Sequence, residues 1–288
     1  MWFTLAVLSA LFQVLRNMVM KQLGHTLDET INVWGRFTFL LPFAAVGVIW
    51  KGVPPIQEGF WVVGLFFGIA QVLGTLSLSK ALKQADISLV TPLWKTSLIL
   101  LVIWGYFTLG EMPSVLGLAG VALSLIGMYL LNIRRAWVSF WAPFAALIED
   151  PGQRWTLLSA MGYAPSVVLI KKMALMSDPL FAVLIGYIYC AVLTTPYTIY
   201  RSRQHFPQLR RYWKSFLSLG ALAALSTWCG TTAYTMTLSS YVEAVKQLEI
   251  LFAITIGYFF FKEGATIRNI WAGALVMMIG VALLKIGQ

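Results

Sequence analysis

Charge is what this chain has least of. Asp, Glu, Lys and Arg together make up 11% of its 288 residues, with 11 acidic side chains against 21 basic ones. A soluble protein carries roughly 25% charged residues, so this chain has too few to cover a water-facing surface. Hydrophobic residues reach 59% and the mean hydropathy is +0.78, which assigns the chain to a membrane. The only two cysteines, Cys190 and Cys229, both fall inside apolar stretches. They point to neither a disulfide framework nor a metal site. The two histidines, His25 and His205, stand far apart and outside any H-E-x-x-H context. There is no G-x-x-x-x-G-K-[ST] loop to support ATP-driven pumping and no G-x-S-x-G elbow. The chain has no N-x-S/T acceptor, no basic n-region and no clear cleavage site for a signal peptide. The adjacent acidic pairs Asp28–Glu29 and Glu149–Asp150 read as solvated loop charges rather than as catalytic carboxylates. These absences argue against an enzyme and call for no cofactor and no metal. The net charge of +10 is explained by loops facing anionic headgroups and requires no nucleic acid.

What the chain does have is an internal repeat. At a constant offset of 152, Ala81–Glu111 matches Ala233–Glu263: Val90 meets Val242, Gly105-Tyr106-Phe107 meets Gly257-Tyr258-Phe259, and Glu111 meets Glu263. One residue later in register, Gly120 meets Gly273 and Ile126-Gly127 meets Ile279-Gly280. Earlier positions agree more loosely: Lys21 and Asp28 are spaced like Lys171 and Asp178, and Pro42 faces Pro196. In a membrane protein such a repeat points to a transporter whose halves move around a shared central site.

Apolar stretches near 2–20, 30–50, 59–79, 87–109, 113–131, 155–176, 179–200, 215–236, 241–261 and 267–285 define ten expected spans. Each approaches the ~20 residues a helix needs to cross the hydrocarbon core. They are continuously apolar, unlike the alternating segments of a membrane barrel. The expected fold is therefore an all-α integral membrane protein of ten helices. Five spans per copy is an odd number, which makes the second copy an inverted repeat of the first. The expected organisation is a first repeat over 1–135, an interfacial linker over 136–153 containing Trp137 and Trp141, and a second repeat over 154–288. Loops after the odd-numbered spans hold thirteen Lys and Arg residues and the opposite side four, namely Lys51, Lys171, Lys172 and Lys285. The positive-inside rule then places both termini outside the cytoplasm. The short loops and missing glycosylation sites point to a bacterial inner membrane.

The repeated pattern "ALKQADISLVTPL…GYFTLGEMPSVLGLAGVALSLIGMYLL" and "AYTMTLSSYVEAVKQLEILFAITIGYFFFKEGATIRNIWAGALVMMIGVALL" resembles the drug/metabolite transporter superfamily. Within it, the ten-helix EamA-like family fits best. The resemblance covers nearly the whole chain and is more specific for fold than for substrate. It implies a helical bundle with a central cavity that works by alternating access without hydrolysing ATP. Many relatives export metabolites or amino acids, and others move nucleotide sugars or lipid-linked groups.

Polar residues within spans are the candidates for chemistry, because a central Lys, Arg or Asp costs about 2.5 to 3.5 kcal/mol in lipid. Arg16, Arg36, Lys95 and Lys246 would together cost roughly 10 kcal/mol if they faced lipid. They therefore face a cavity or a partner, or snorkel to the headgroups. Lys95 aligns with Gln247, next to Lys246, so the repeat puts a cation at matching depth in spans 4 and 9. Arg16 and Asn17, being adjacent, are expected on different sides of their helix. In span 9, Glu243, Lys246, Gln247 and Ile250 share one arc of about 100°, with Tyr241 at the entrance and Glu249 about 60° beyond Lys246. Either Lys246 and Glu249 neutralise each other, or Lys246 holds an anionic group of the substrate while Glu249 or Glu243 takes up a proton. Trp94 beside Lys95 is the aromatic expected nearest the substrate, and Gln71 of span 3 can line the cavity. Most other aromatics are expected in interfacial belts. Lys21, Lys171 and Lys172 are expected to anchor their spans at the interface. Gly64 and Gly68, and Gly120 with Ser124, form small-residue packing faces.

The resulting expectation is a secondary-active exporter of a small anionic or zwitterionic metabolite, with proton coupling at Glu249 or Glu243. Membrane lipids are its surroundings. A monomer is sufficient for the complete pathway and a homodimer is compatible with it. One alternative is a flippase for a phosphate-bearing lipid or lipid-linked sugar, which requires a lateral opening. A non-transporting membrane scaffold is the alternative from another class.

Overall fold

The computed structural model describes residues 1–24, 26–84, 90, 93–94, 96–132, 151–252 and 271–286, and all regular structure among them is helical. The helices are α1 (Trp2–Gly24), α2 (Glu29–Lys51), α3 (Phe60–Gln84), α4 (Ser97–Leu109), α5 (Val115–Asn132), α6 (Pro151–Met176), α7 (Pro179–Ser202), α8 (Trp213–Met236), α9 (Ser239–Lys246) and α10 (Trp271–Ile286). Two short helical turns, Arg203–His205 and Phe206–Leu209, join α7 to α8. Nearly all of the expected linker over 136–153, including Trp137 and Trp141, lies outside the described residues, as does Lys95.

Five segments are long and apolar enough to cross a membrane by length and composition: Trp2–Met20, Glu29–Lys51, Phe60–Gln84, Pro179–Leu209 and Trp213–Met236. Ser97–Leu109, Val115–Gly127 and Leu275–Leu284 are shorter apolar helices. Helix α6 has the length, with 26 residues, but it carries Arg154, Lys171 and Lys172. Helix α9 ends after 8 residues, so the continuous span expected over 241–261 is interrupted. The reason is local. Gln247 N–H and Leu248 N–H donate to carbonyls three residues back, Ala244 at 3.3 Å and Val245 at 3.0 Å, before Phe252 N–H returns to Leu248 O at 3.1 Å. The same pattern stands at the start of α4, where Thr96 N–H donates to Leu93 O at 3.2 Å and Leu100 N–H to Thr96 O at 3.3 Å. Residues 93, 96 and 100 are 245, 248 and 252 minus the repeat offset of 152.

The most extensive helix pairs are α3 with α6, α5 with α10, α1 with α8 and α2 with α7, followed by α2 with α8, and then by α3 with α7 and α4 with α6 alike. Exchanging the first five helices for the last five maps these pairs onto one another, except that α4 with α6 has the less extensive α1 with α9 as its counterpart. Helices α2 and α7 run antiparallel. Asp28 precedes the start of α2 and accepts from Ser202 Oγ at the end of α7 at 2.5 Å, while Asp178 caps α7 and pairs with Lys51 at the end of α2. Between these ends Trp34 Nε1 donates to Thr195 Oγ1 at 2.9 Å and the Phe37 and Tyr187 rings lie 5.7 Å apart. Helices α5 and α10 are antiparallel as well, with Gly120 against Gly280 and Leu284, and Gly127 against Met277.

Small residues let these seams close. Gly74 faces Gly162 where α3 meets α6, and Ser159 Oγ there donates to Gly74 O at 2.7 Å. Ser9 and Ser226 exchange hydroxyl-to-carbonyl bonds of 2.8 and 3.0 Å across α1 and α8. Gly64 and Gly68 receive Tyr189 of α7, so this GxxxG face is used within the chain.

Contacts at the two ends of the bundle always join elements of the same end. One end holds Lys51–Asp178, the Gln57 N–H bond to Met176 O at 3.0 Å and the Glu111–Lys171 pair. The other holds Asp28–Ser202, the Lys83–Glu29 pair at 2.5 Å and Lys80 over the Trp155 ring at 4.3 Å. Lys171 is thus not the interfacial anchor expected of it: it is 7% exposed and paired with Glu111. A hydrophobic stretch flanked by lysines does not distinguish a snorkelling lysine from one that turns inward to a carboxylate.

The α5–α10 seam yields a direct test. A Cβ at Gly280 would lie 2.6 Å from Ser124 N and 2.8 Å from Gly120 O, so even alanine must push two backbones apart. Gly280→Ala is expected to destabilise by about 1–3 kcal/mol, read as a lower Tm in detergent. An unchanged Tm would mean that the seam is looser than these distances.

Candidate functional site

A polar cavity of about 60 Å³ lies at the centre of the bundle. Its walls come from both halves: Gln13 and Arg16 of α1, Arg36 of α2, Phe67 and Gln71 of α3, Tyr163 and Ser166 of α6, Tyr187 of α7, Ser226, Thr231 and Tyr234 of α8, and Lys246 of α9. A smaller compartment adjoins it through Tyr163 and is lined by Trp94, Ser97, Leu98, Leu101, Glu243 and Gln247.

Three of the four expected basic residues meet here. Arg16 is 6% exposed, and its Nε and Nη2 donate to Asn17 Oδ1 at 3.3 and 3.0 Å. Arg16 is buried and Asn17 exposed, so the two neighbours do face different sides, and the long arginine reaches back to its short polar neighbour. Arg16 also lies in the repulsive field of Arg36 and the attractive field of Glu249. Arg36 belongs to a helix turn packed on Phe37, whose ring lies 5.8 Å from the guanidinium, and its Nε is buried without a hydrogen-bond partner. Lys246 is 7% exposed. Its Nζ lies 2.5 Å from Glu243 Oε1 and 3.3 Å from Tyr234 OH.

That pair corrects the expected neutralisation of Lys246 by Glu249. Both carboxylates lie three residues from Lys246, one on each side. Because α9 stops at Lys246, the regular helical geometry that would carry Glu249 alongside it is lost. Glu243 becomes a hub instead, accepting also from Tyr234 OH and, at 3.2 Å, from Tyr163 OH. Glu249 accepts from Gln13 Nε2 of α1 across the two halves. Gln71 accepts from Ser166 Oγ at 2.8 Å, which again joins the halves.

The remaining candidates divide. Trp94 and Gln247 line the adjoining compartment, where the Trp94 and Tyr163 rings lie 5.1 Å apart. Gln247 is 2% exposed and its Oε1 has no hydrogen-bond partner. Tyr241 is buried, but its hydroxyl meets Ser114 N at 3.1 Å at the α4–α5 connection, away from the cavity-lining residues. Sequence reasoning passed over Gln13, Tyr163, Tyr187 and Tyr234. Assigning the aromatics to interfacial belts hid the three tyrosines. The usable signal was position: Tyr163 lies two residues before Pro165 in mid-helix, and Tyr234 one residue after the repeat-matched Ala233.

The family profile of the EamA-like transporters matches residues 1–133 and again residues 151–286. The chain belongs to the EamA-like transporter family. Among solved structures 28 chains match significantly. One of them, a crystal structure described only as that of a protein, is 14% identical with a TM-score of 0.78, over 99% of this chain and 97% of that one. That likeness speaks for the fold alone. No curated protein matches significantly. As an EamA-like transporter this is an integral membrane protein, and its family consists of transporters rather than enzymes.

The hub at Glu243 makes the stability of this EamA-like transporter sensitive to one carboxylate. Removing one partner of a buried ion pair costs about 3–5 kcal/mol, whereas replacing both by apolar groups costs far less. Glu243→Leu is therefore expected to lower Tm strongly, and Glu243→Leu combined with Lys246→Met to recover most of the loss. Thermal unfolding in detergent reads both, and a double variant no better than the single would show that Lys246 does not depend on Glu243.

Proposed function

We propose that the protein is a secondary-active exporter of a small anionic or zwitterionic metabolite. Two five-helix halves, residues 1–135 and 154–288 joined by the 136–153 linker, rock around the cavity and open it to alternate sides. The observation that carries the substrate class is the buried Nε of Arg36, left without a partner in a side chain that lines the same cavity as Arg16 and Lys246. A buried donor without an acceptor is costly, and a carboxylate or phosphate satisfies it with a charge-assisted bond. Three cations against Glu243 and Glu249 leave one positive charge among the described residues, which suits a monoanion. The two carboxylates offer a place for the cationic end of a zwitterion. Trp94 and the three tyrosines supply apolar contact. A cavity of about 60 Å³ has room for only a few waters, so a metabolite enters when the halves separate on one side.

The antiparallel run of α2 with α7 and of α5 with α10 supports an inverted relation between the halves, each with five spans. The excess of basic residues at the end that carries Lys80, Lys83, Arg201 and Arg203 supports a cytoplasmic position for that end, with both termini outside, in a bacterial inner membrane. Proton coupling falls to Glu249 more naturally than to Glu243. Glu243 is held by groups of its own half, whereas the Gln13–Glu249 bond crosses between halves and changes when they move. A Glu249→Gln variant is expected to abolish the pH dependence of uptake into vesicles while leaving exchange in place. A pH-driven rate equal to that of the parent would remove Glu249 from the mechanism.

One observation favours a second reading, a flippase for a phosphate-bearing lipid or lipid-linked sugar. A groove of about 380 Å³ lies between α3, α4 and α6, lined by apolar side chains such as Phe66, Leu73, Trp104 and Met161 that are exposed on the outer surface. A thermal-shift screen over amino acids, organic acids, sugar phosphates, nucleotide sugars and polyprenyl phosphates separates the readings. A ligand at a hundred times its Kd stabilises by about 2.7 kcal/mol. A soluble anion is expected to raise the Tm of the parent but not of Arg36→Gln or Lys246→Ala. Stabilisation by polyprenyl phosphates alone would make the flippase the better reading. A flat response, with variants that alter stability but no flux, would leave a scaffold.

A further inference from the structure

We infer that Glu111 and Lys171 form the gate that closes the cavity on the face carrying the α4–α5 and α8–α9 connections. The inference rests on the rocking mechanism proposed above and names the contact that must break for one side to open.

The local sequence aims Glu111. Gly110 ends α4 with φ +68°, a backbone region that favours glycine. Its N–H donates to Tyr106 O at 3.0 Å, and Glu111 N–H donates to Gly105 O at 3.1 Å. A Cβ at Gly105 would lie 3.0 Å from Glu111 Oε2, so the missing side chain there lets the carboxylate fold back against the helix end. From that position the carboxylate reaches wholly into the other half. Oε1 lies 2.6 Å from Lys171 Nζ of α6 and accepts from Ser239 Oγ at 3.0 Å, while Oε2 accepts from Ser239 N–H at 3.0 Å. Lys171 Nζ also donates to Thr237 O at 2.6 Å. One carboxylate from the first half thus ties together α6, the α8–α9 connection and the first residue of α9. That helix carries Glu243 one turn and Lys246 two turns further on. The Tyr241 hydroxyl, on the same turn of α9, adds the bond to Ser114 N.

The chemistry of the contact suits a gate better than a permanent staple. Glu111 and Lys171 are 8% and 7% exposed, so removing either leaves a buried charge without its counter-ion. Separating the halves, by contrast, admits water to both ions at once and refunds their hydration. An apolar seal of the same size would instead expose its surface to water when opened. The pair therefore holds firmly when dry and parts at low cost when wetted.

The test uses the full chain reconstituted in phosphatidylethanolamine–phosphatidylglycerol vesicles, with Cys190→Ala, Cys229→Ala and Thr231→Cys providing a single reporter thiol in the cavity wall. An anionic, membrane-impermeant methanethiosulfonate is applied from each face in turn. Glu111→Gln and Lys171→Met are each expected to raise labelling from the gate face about tenfold, a shift of about 1.4 kcal/mol toward open, and to leave the other face unchanged. Lys171→Arg should stay close to the parent, and the double variant should label no faster than the faster single one. Unchanged labelling, or an equal rise from both faces, overturns the gate. Should the charge variants not fold, Ser239→Ala removes one hydroxyl donor and is expected to raise labelling from that face about threefold; no rise overturns the proposal equally. Flux of the stabilising anion is measured in the same vesicles. Labelling that rises while the parent carries no flux keeps the gate and removes the transport reading, whereas flux with unchanged labelling does the reverse.

Discussion

Inside a bilayer no water satisfies a polar group, so an interior donor or acceptor left without a partner in the protein is costly. In this chain several of those partners come from the other half. Ser9 and Ser226, Gln71 and Ser166, Gly74 and Ser159, Gln13 and Glu249, and Glu111 with Lys171 and Ser239 all join residues before 133 to residues after 150. The interior is therefore an interface, and neither half has a polar interior complete in itself. This arrangement is demanding during folding, because the first half must hold Glu111 and Gln71 before their partners exist.

The parts of the fold legible in the sequence were those fixed by composition and repetition. Scarce charge placed the chain in a membrane, and the offset of 152 aligned positions that the structure treats alike, down to the matching turns at Thr96 and Leu248. What periodicity alone did not carry was the direction of long side chains. Lys246 had Glu243 on one side and Glu249 on the other at equal sequence distance, and only the interruption of α9 decides between them. Lys171 lay at a helix end, where a lysine that snorkels and one that turns inward look the same in sequence; its partner was 60 residues away. Arg16 and Arg36 were identifiable as costly, but their convergence depends on how α1 and α2 both face α8. The repeated spacing of Gly105 and Glu111, found again at Gly257 and Glu263 outside the described residues, was visible as a pattern. Its physical content, a glycine making room for a carboxylate that folds back, needed coordinates.

The helix breaks at Thr96 and Leu248 fall at matching positions of the repeat. A helix that stops in mid-membrane leaves carbonyls without their usual donors, and such breaks are tolerated only against protein or a polar cavity. Both breaks here lie beside the site: Ser97, the first residue of α4, lines the smaller compartment, and Lys246, the last of α9, lines the larger one.

A pseudo-symmetric scaffold supports an asymmetric site because equivalent positions are filled with different chemistry. At the early offset of 150, Gln13 corresponds to Tyr163 and Arg16 to Ser166; at 152, Trp94 corresponds to Lys246. Both members of each pair line the site. Exchange of the halves therefore sets a guanidinium opposite a hydroxyl and an indole opposite an ammonium. Two sides of equal mechanical design need only the repeated backbone, which is where the repeat is most faithful. A substrate that must enter in one orientation needs unlike walls, and it is at these wall positions that the two copies have diverged.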